Sequence, residues 1–402
     1  MTSGWEIMKQ GGRKNGTDTL LAHAGSEPDD NFGIVNPPVY RASTVLFKDM
    51  ADFARRGERR YSGFSYGTDG TPTTFALTGA VCRLEGGVGT LAFSSGLAAI
   101  TLPLISLLSS GDHLLMVDSV YGPTRRFCDQ VLRGFGVETT YYDPLLGAGV
   151  ADLIRENTRL VFTESPGSLT FEVQDIPAIC AAAHGRGVPV AMDNTWATPL
   201  FFDALGHGVD ISIQAGTKYL GGHSDLLLGL VTTRDQEMFK RLKDTKDALG
   251  DCVAPDVCSL ALRGMRTMGL RLRHQGRAAL ELAAWLQGRD GVRRVLHPAL
   301  AGDPGHDLWR RDFTGSSGLF GVVLDTEDPA ARAAFVDALE LFRIGFSWGG
   351  FESLVVPADP APLRSARPWR EQGLLVRLNV GLEDLEDLKA DLRQGLDRMR
   401  KL

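Results

Sequence analysis

Short, unbroken apolar runs recur along the first two thirds of the chain, at residues 90–93, 113–117, 159–163, 188–192, 209–213 and 226–232. Continuous rather than alternating runs of this length are the pattern of strands buried on both faces. Stretches with helical periodicity lie between them, at 73–84, 97–108, 123–133 and 175–184. This alternation predicts βα units, hence an α/β fold with a mostly parallel sheet covered on both faces. In such a sheet the loops at the carboxyl ends of the strands hold the ligand. The pattern changes near residue 256. A long arginine-rich helical stretch over 257–286 is followed by strands near 318–324 and 374–378 and helices near 330–341 and 382–399, which reads as a smaller α+β domain. Residues 1–64 carry many Gly, Pro, Asn and Arg residues and little periodicity, and Asn36-Pro-Pro38 argues for an extended arm. Such an arm cannot bury itself and is expected to pack on another subunit. The expected division is an arm over 1–64, a large domain over 65–255 and a small domain over 256–402.

Composition narrows the partners. A chain of 402 residues can bury a large core over two or three domains. The net charge of −6, with no long basic block, argues against nucleic acid or an anionic membrane as partner. Arg55-Arg-Gly-Glu-Arg-Arg60 is a local cluster of a solvated or interfacial kind. Five scattered cysteines, odd in number and without metal-site spacing, fit reduced thiols in a cytoplasm. The first eight residues contain no apolar segment of the secretory kind, and the run over 226–231 is too short to span a bilayer.

The candidate chemistry centres on Lys218. It lies in Ser212-Ile-Gln-Ala-Gly-Thr-Lys-Tyr-Leu-Gly-Gly-His-Ser-Asp225, just past a buried run, among small neighbours that leave a ligand room to approach the backbone. Asp193 ends the run Val188-Pro-Val-Ala-Met and opens Asp193-Asn-Thr-Trp-Ala-Thr-Pro199. A lysine and an aspartate at the ends of neighbouring strands are what pyridoxal phosphate needs. The amine forms the covalent link to the aldehyde, and the carboxylate keeps the ring nitrogen protonated so that the ring can accept electrons. A buried Lys–Asp ion pair with no cofactor is the alternative. Ser94-Ser-Gly-Leu97 stands between a strand and a helix, where free backbone N–H groups make a phosphate site, although a plain helix cap fits these residues as well. Arg377 interrupts the apolar run Leu374-Leu-Val-Arg-Leu378. Its planar fork suits a substrate carboxylate, and an ion pair with an acidic side chain is the alternative. Tyr121, after the run that ends at Val120, is either a core aromatic or a site residue. No residue has a spacing that would make His223 a metal ligand, so no metal is expected.

These segments together resemble the pyridoxal-phosphate enzymes of cysteine and methionine metabolism. The resemblance runs from Thr19-Leu-Leu-Ala-His-Ala-Gly25 to Leu378-Asn-Val-Gly-Leu-Glu-Asp384. Ser347-Trp-Gly-Gly350 and Arg311-Asp-Phe-Thr-Gly-Ser-Ser-Gly318 bring it nearest to the β-lyase branch that cleaves L-cystathionine. It implies the type I fold of pyridoxal-phosphate-dependent transferases, with a mostly parallel seven-stranded sheet, and a cytoplasmic homotetramer with shared active sites. It also implies residue roles. Gly96, Leu97 and the Thr217 hydroxyl would hold the phosphate; Tyr121 would stack on the ring and help move protons at the substrate amine; Ser347 and Trp348 would stand beside the carboxylate bound by Arg377. Tyr66 would reach the phosphate of a neighbouring subunit. Many relatives have arginine where this chain has Thr68, which removes a bidentate phosphate contact; Arg60 is a candidate replacement. Phe346 replaces a tyrosine of some β-lyases. γ-Elimination or γ-replacement, a broader cysteine-conjugate lyase, and a regulatory cofactor-binding protein are the rival readings.

Overall fold

The structure of the protein, a computed structural model, describes residues 15–401. The reading of the first eight residues falls outside that span. Seven strands form the larger sheet: β1 (Gly89–Phe93), β2 (His113–Val117), β3 (Glu138–Tyr142), β4 (Thr158–Glu164), β5 (Val190–Asp193), β6 (Ile211–Gln214) and β7 (Gly229–Thr233). Their order is β1-β7-β6-β5-β4-β2-β3. All neighbours are parallel except β7, which runs antiparallel to both β1 and β6. The expected α/β class and mostly parallel seven-stranded sheet are thus observed. Every residue of β1, β2 and β7 is buried, which is why their sequences are largely apolar rather than alternating.

A second sheet holds β8 (Val292–Leu296), β9 (Leu319–Leu324), β10 (Arg343–Ile344), β11 (Leu354–Ala358) and β12 (Leu374–Asn379), in the order β10-β11-β12-β9-β8. It is antiparallel except for β10 against β11. The helix Pro255–Leu286 bridges the two halves. Its first turns pack through Leu262, Met265 and Met268 with Leu21, Leu77 and Val81. Its last turns pack through Ala279, Leu282 and Leu286 with Phe320, Phe335 and Leu392.

Three differences from the sequence reading have plain causes. The helix expected over 123–133 is a six-residue helix, Gly122–Phe127, continued by a π turn over Cys128–Leu132. The strand β3, Glu-Thr-Thr-Tyr-Tyr, is an edge strand with one solvated side, so it shows no apolar run. The helix Gln236–Ala248 buries Phe239 and Leu242 together with the stems of Lys243 and Lys246, so its inner face is concealed among charges.

Candidate active site

The parallel register places the chemistry. Asp193 is the last residue of β5; it pairs with Glu164 of β4 on one side and with Ile213 of β6 on the other. The chain leaves β6 and turns at once through Ala215 and Gly216 to Lys218, whose N–H donates to the Ala215 carbonyl at 3.0 Å. Both side chains therefore stand at the carboxyl edge of the sheet. Among the described residues no ion pair joins them, which removes the cofactor-free Lys–Asp pair as their explanation. Lys218 Nζ donates instead to Ser347 Oγ at 2.7 Å and lies 5.3 Å from the centre of the Trp348 ring. Burial, and then the nearby Arg377 cation, push its amine down to about 8. At neutral pH it is therefore far closer to a free base than a surface lysine is. Asp193 Oδ1 accepts from the Thr195 N–H at 3.0 Å and the Thr195 hydroxyl at 2.5 Å, while Oδ2 has no hydrogen-bond partner among the described residues. Burial raises its carboxyl above the ordinary range.

Arg377, on β12, donates from Nη2 to the Ser347 carbonyl at 3.0 Å. No carboxylate among the described residues pairs with it. Burial lowers it to about 10, with Tyr121 and Tyr219 acting in the other direction. A buried guanidinium without an anion is costly, and a bound carboxylate would supply the missing charge.

The Ser347–Gly350 turn is braced from several sides. Ser347 itself has φ of 80°, in the left-handed region where a side chain costs ~1–3 kcal/mol. The Gly349 N–H donates to Asn379 Oδ1 at 3.0 Å, and Gln275 Nε2 donates to the carbonyls of Gly350 and Val380 at 2.7 and 3.0 Å. Trp348 lies 5.4 Å from the ring of Tyr219, whose hydroxyl accepts from the Gly318 N–H at 2.8 Å. That contact ties Gly318, the last residue of the Arg311–Gly318 motif, to the residue next to Lys218. Arg271 completes the brace, donating to the carbonyls of Tyr219 and Gly264 at 2.9 and 2.7 Å. Gly222, at φ of 68°, leaves the space that Arg271 fills, since a Cβ there would fall 1.8 Å from Nη1.

At the other end of the site, Ser95 caps the helix Gly96–Leu107 by accepting from the Ala98 N–H at 3.1 Å. The N–H groups of Gly96 and Leu97 have no acceptor among the described residues. A Cβ on Gly96 would come within 2.7 Å of the Ala215 Cβ, so glycine keeps this corner open beside the Lys218 loop. Free N–H groups at a helix start, an unpartnered carboxylate oxygen on Asp193 and an amine held only by a hydroxyl fit pyridoxal phosphate at its phosphate, ring nitrogen and aldehyde.

Other expected site residues are differently placed. The Thr217 hydroxyl is engaged by Leu228: it donates to the carbonyl at 3.2 Å and accepts from the N–H at 2.9 Å. It reaches a phosphate only by releasing that carbonyl. Tyr66 and Thr68 lie where the arm meets the helix Pro72–Glu85, and no hydrogen bond joins either to Lys218, Asp193 or Gly96. Asp69 holds their turn by accepting from the N–H groups of Ser65 and Tyr66. Arg60, the candidate replacement for the arginine absent at Thr68, is tied to Asp244. His223 bonds the Gly221 carbonyl of its own turn. Arg271, Gln275 and Asn379 were not picked out by the sequence reading; the one visible signal was polar residues on the apolar face of a long helix.

The model of Cys/Met metabolism PLP-dependent enzymes matches residues 18–397. A relative from Rhizobium johnstonii is 53% identical over 94% of this chain and 96% of its own. The cystathionine β-lyase of Escherichia coli is 42% identical over 95% of this chain and 98% of its own. Among solved structures, cystathionine γ-synthase of Xanthomonas oryzae in complex with aminoacrylate and cysteine superposes with a TM-score of 0.89 at 32% identity, covering 97% of this chain and all of the other. No helix among the described residues is long and apolar enough to cross a membrane. A strand-end lysine and aspartate beside a helix start with free N–H groups, and a match over nearly the whole chain, lead to one conclusion: the chain belongs to the Cys/Met metabolism PLP-dependent enzymes.

Proposed function

We propose that this chain is a carbon–sulfur β-lyase that cleaves L-cystathionine to homocysteine, pyruvate and ammonia. The observation that carries the reading is the pairing of a buried, anion-free Arg377 with the Ser347-braced amine of Lys218. It suits an α-amino acid held by its carboxylate with its Cα proton facing the amine. The Ser347-Trp-Gly-Gly350 turn and the similarity to β-lyases favour the β-reaction over its γ-counterparts.

In this reading Gly96 and Leu97 hold the phosphate through their N–H groups, joined by Thr217 once it turns from Leu228. Asp193 holds a proton at the ring nitrogen, and Lys218 carries the aldehyde. When bound, the cofactor supplies an electron sink for the pair left on Cα. Arg377 fixes the substrate carboxylate. Lys218, whose amine burial brings down to about 8, would take the Cα proton in its neutral form. Ser347 keeps that amine aimed. Tyr121 covers the ring and handles protons at the substrate amine, and Trp348 walls the carboxylate pocket. The Cβ–S bond then breaks, homocysteine departs, and the released three-carbon enamine hydrolyses in water to pyruvate and ammonia.

The same reading divides the chain into 1–64, 65–255 and 256–402, a boundary supported by the change from a parallel to an antiparallel sheet. It also makes the protein a cytoplasmic homotetramer in which Tyr66 and Thr68 serve a neighbour's phosphate. The exposed apolar residues of the arm, among them Phe32, Leu46 and Met50, support a subunit contact there. The test supplies L-cystathionine and identifies the keto acid. Pyruvate with homocysteine is expected. 2-Oxobutyrate with cysteine would replace this proposal by γ-elimination, and no keto acid would end it.

A further inference from the structure

Tyr121 has a hydrogen-bond partner that its assigned role does not use. Its backbone N–H donates to Glu164 Oε2 at 2.7 Å. Tyr121 is also the cap of the helix Gly122–Phe127: its carbonyl accepts from the N–H groups of Thr124 and Arg125 at 2.9 and 3.2 Å. Downstream, Arg125 is clamped to Asp118 through its side chain, and upstream the Asp118 N–H donates to the Tyr142 carbonyl at 2.9 Å. The segment between these anchors is thus fixed at both ends and at one further point, the Glu164 carboxylate. Glu164 ends β4, in register with Asp193, so both stand at the carboxyl edge of the sheet.

We propose that Glu164 is the positioning residue for Tyr121, fixing the tyrosine over the site by accepting its backbone N–H. The inference rests on the role given to Tyr121 above. Two acidic side chains side by side at a dry sheet edge repel, and burial followed by Asp193 raises the Glu164 carboxyl well above its ordinary range. A neutral carboxyl still presents an oxygen to the Tyr121 N–H, so the contact holds whether or not Glu164 is charged.

Amide exchange at Tyr121 and kcat/KM, measured on the holoenzyme, test this. Glu164→Ala should speed exchange at Tyr121 and lower kcat/KM by at least about tenfold. Glu164→Gln should keep Tyr121 protected and recover kcat/KM to within about threefold of wild type. In a Tyr121→Ala background, removing Glu164 should cost less than about twofold more. Unchanged exchange and kcat/KM in Glu164→Ala, or its full loss persisting without Tyr121, would overturn the inference alone. Should Glu164→Ala fail to fold, faster exchange at Tyr121 in Glu164→Gln, which keeps an acceptor for that N–H, does the same. A fully active Tyr121→Ala enzyme would overturn the role of Tyr121 itself and this inference with it.

Discussion

The turn over residues 347–350 and the turn over residues 66–70 both bear on the cofactor reading, yet they are built in opposite ways. The first is held by its own chain: Asn379, Gln275 and Arg377 each grip a backbone group, and even the strained φ of Ser347 is stabilised. The second is held only to the arm, through Asp69 and the Gly67 N–H to the Ser43 carbonyl, and Tyr66 is 52% exposed. One chain therefore preorganises the proton-transfer and carboxylate half of the site. On the proposed reading the phosphate half is left to two free N–H groups and to whatever a neighbouring subunit would bring. Chemistry that requires sub-ångström aim sits where the fold is most constrained.

Mutations can break this contrast, beginning where the effect is largest. Lys218→Ala should abolish the borohydride-reducible link to the cofactor and nearly all turnover; a variant with normal activity would end the assignment. Asp193→Ala should still bind cofactor yet lose more than about two orders of magnitude in kcat, the scale of losing one preorganised electrostatic contact. Unchanged turnover would mean that the ring nitrogen needs no partner. Arg377→Ala should weaken substrate binding by ~1.5–3 kcal/mol, the worth of charge-assisted hydrogen bonds, with the cofactor spectrum intact. Loss of the cofactor instead would make the arginine a structural member of the braced turn.

The looser half should respond in the other direction. Thr68→Arg should tighten cofactor binding by up to ~1.5–3 kcal/mol if the neighbour's phosphate is in reach, as titration of cofactor-free protein would show. Arg60 is already engaged by Asp244 and should not compete. Weaker binding in Thr68→Arg, with Arg60→Ala also losing cofactor, would reverse that view. The smallest effect is on pH. The Lys218 amine of the cofactor-free protein, at about 8 against 10.5 for an unperturbed lysine, binds fewer protons than the unfolded chain does between those values. Stability of the cofactor-free protein should therefore rise with pH across that window, and cofactor capture should accelerate as pH passes about 8. A rate flat from pH 7 to 9 would contradict a desolvated amine.

The sequence carried the buried half of this site better than the exposed half. Lys218, Asp193 and Arg377 were legible because a charged residue inside or directly after an apolar run has few structural uses. The parallel sheet was legible from the same runs. The brace was not: Arg271, Gln275 and Asn379 act on backbone carbonyls and N–H groups brought together only by folding, and nothing local marks those partners. Glu164 directly follows the apolar run over 159–163, but its bond to Tyr121 depends on β4 lying beside β2. Strands such as β3 and helices such as Gln236–Ala248 were hidden because they bury one narrow face and spend the rest of their sequence on solvent.

The helix Pro255–Leu286 has a consequence for how the protein comes apart. Its 32 residues span about 48 Å at 1.5 Å each. One end is embedded with Leu21 and Leu77, the other with Phe335 and Leu392. Cutting the chain at residue 255 would strip Leu262, Met265 and Met268 from the first group and present them to water on the second. Neither fragment should be an autonomous folding unit, and thermal melting of the intact chain should show one transition rather than two.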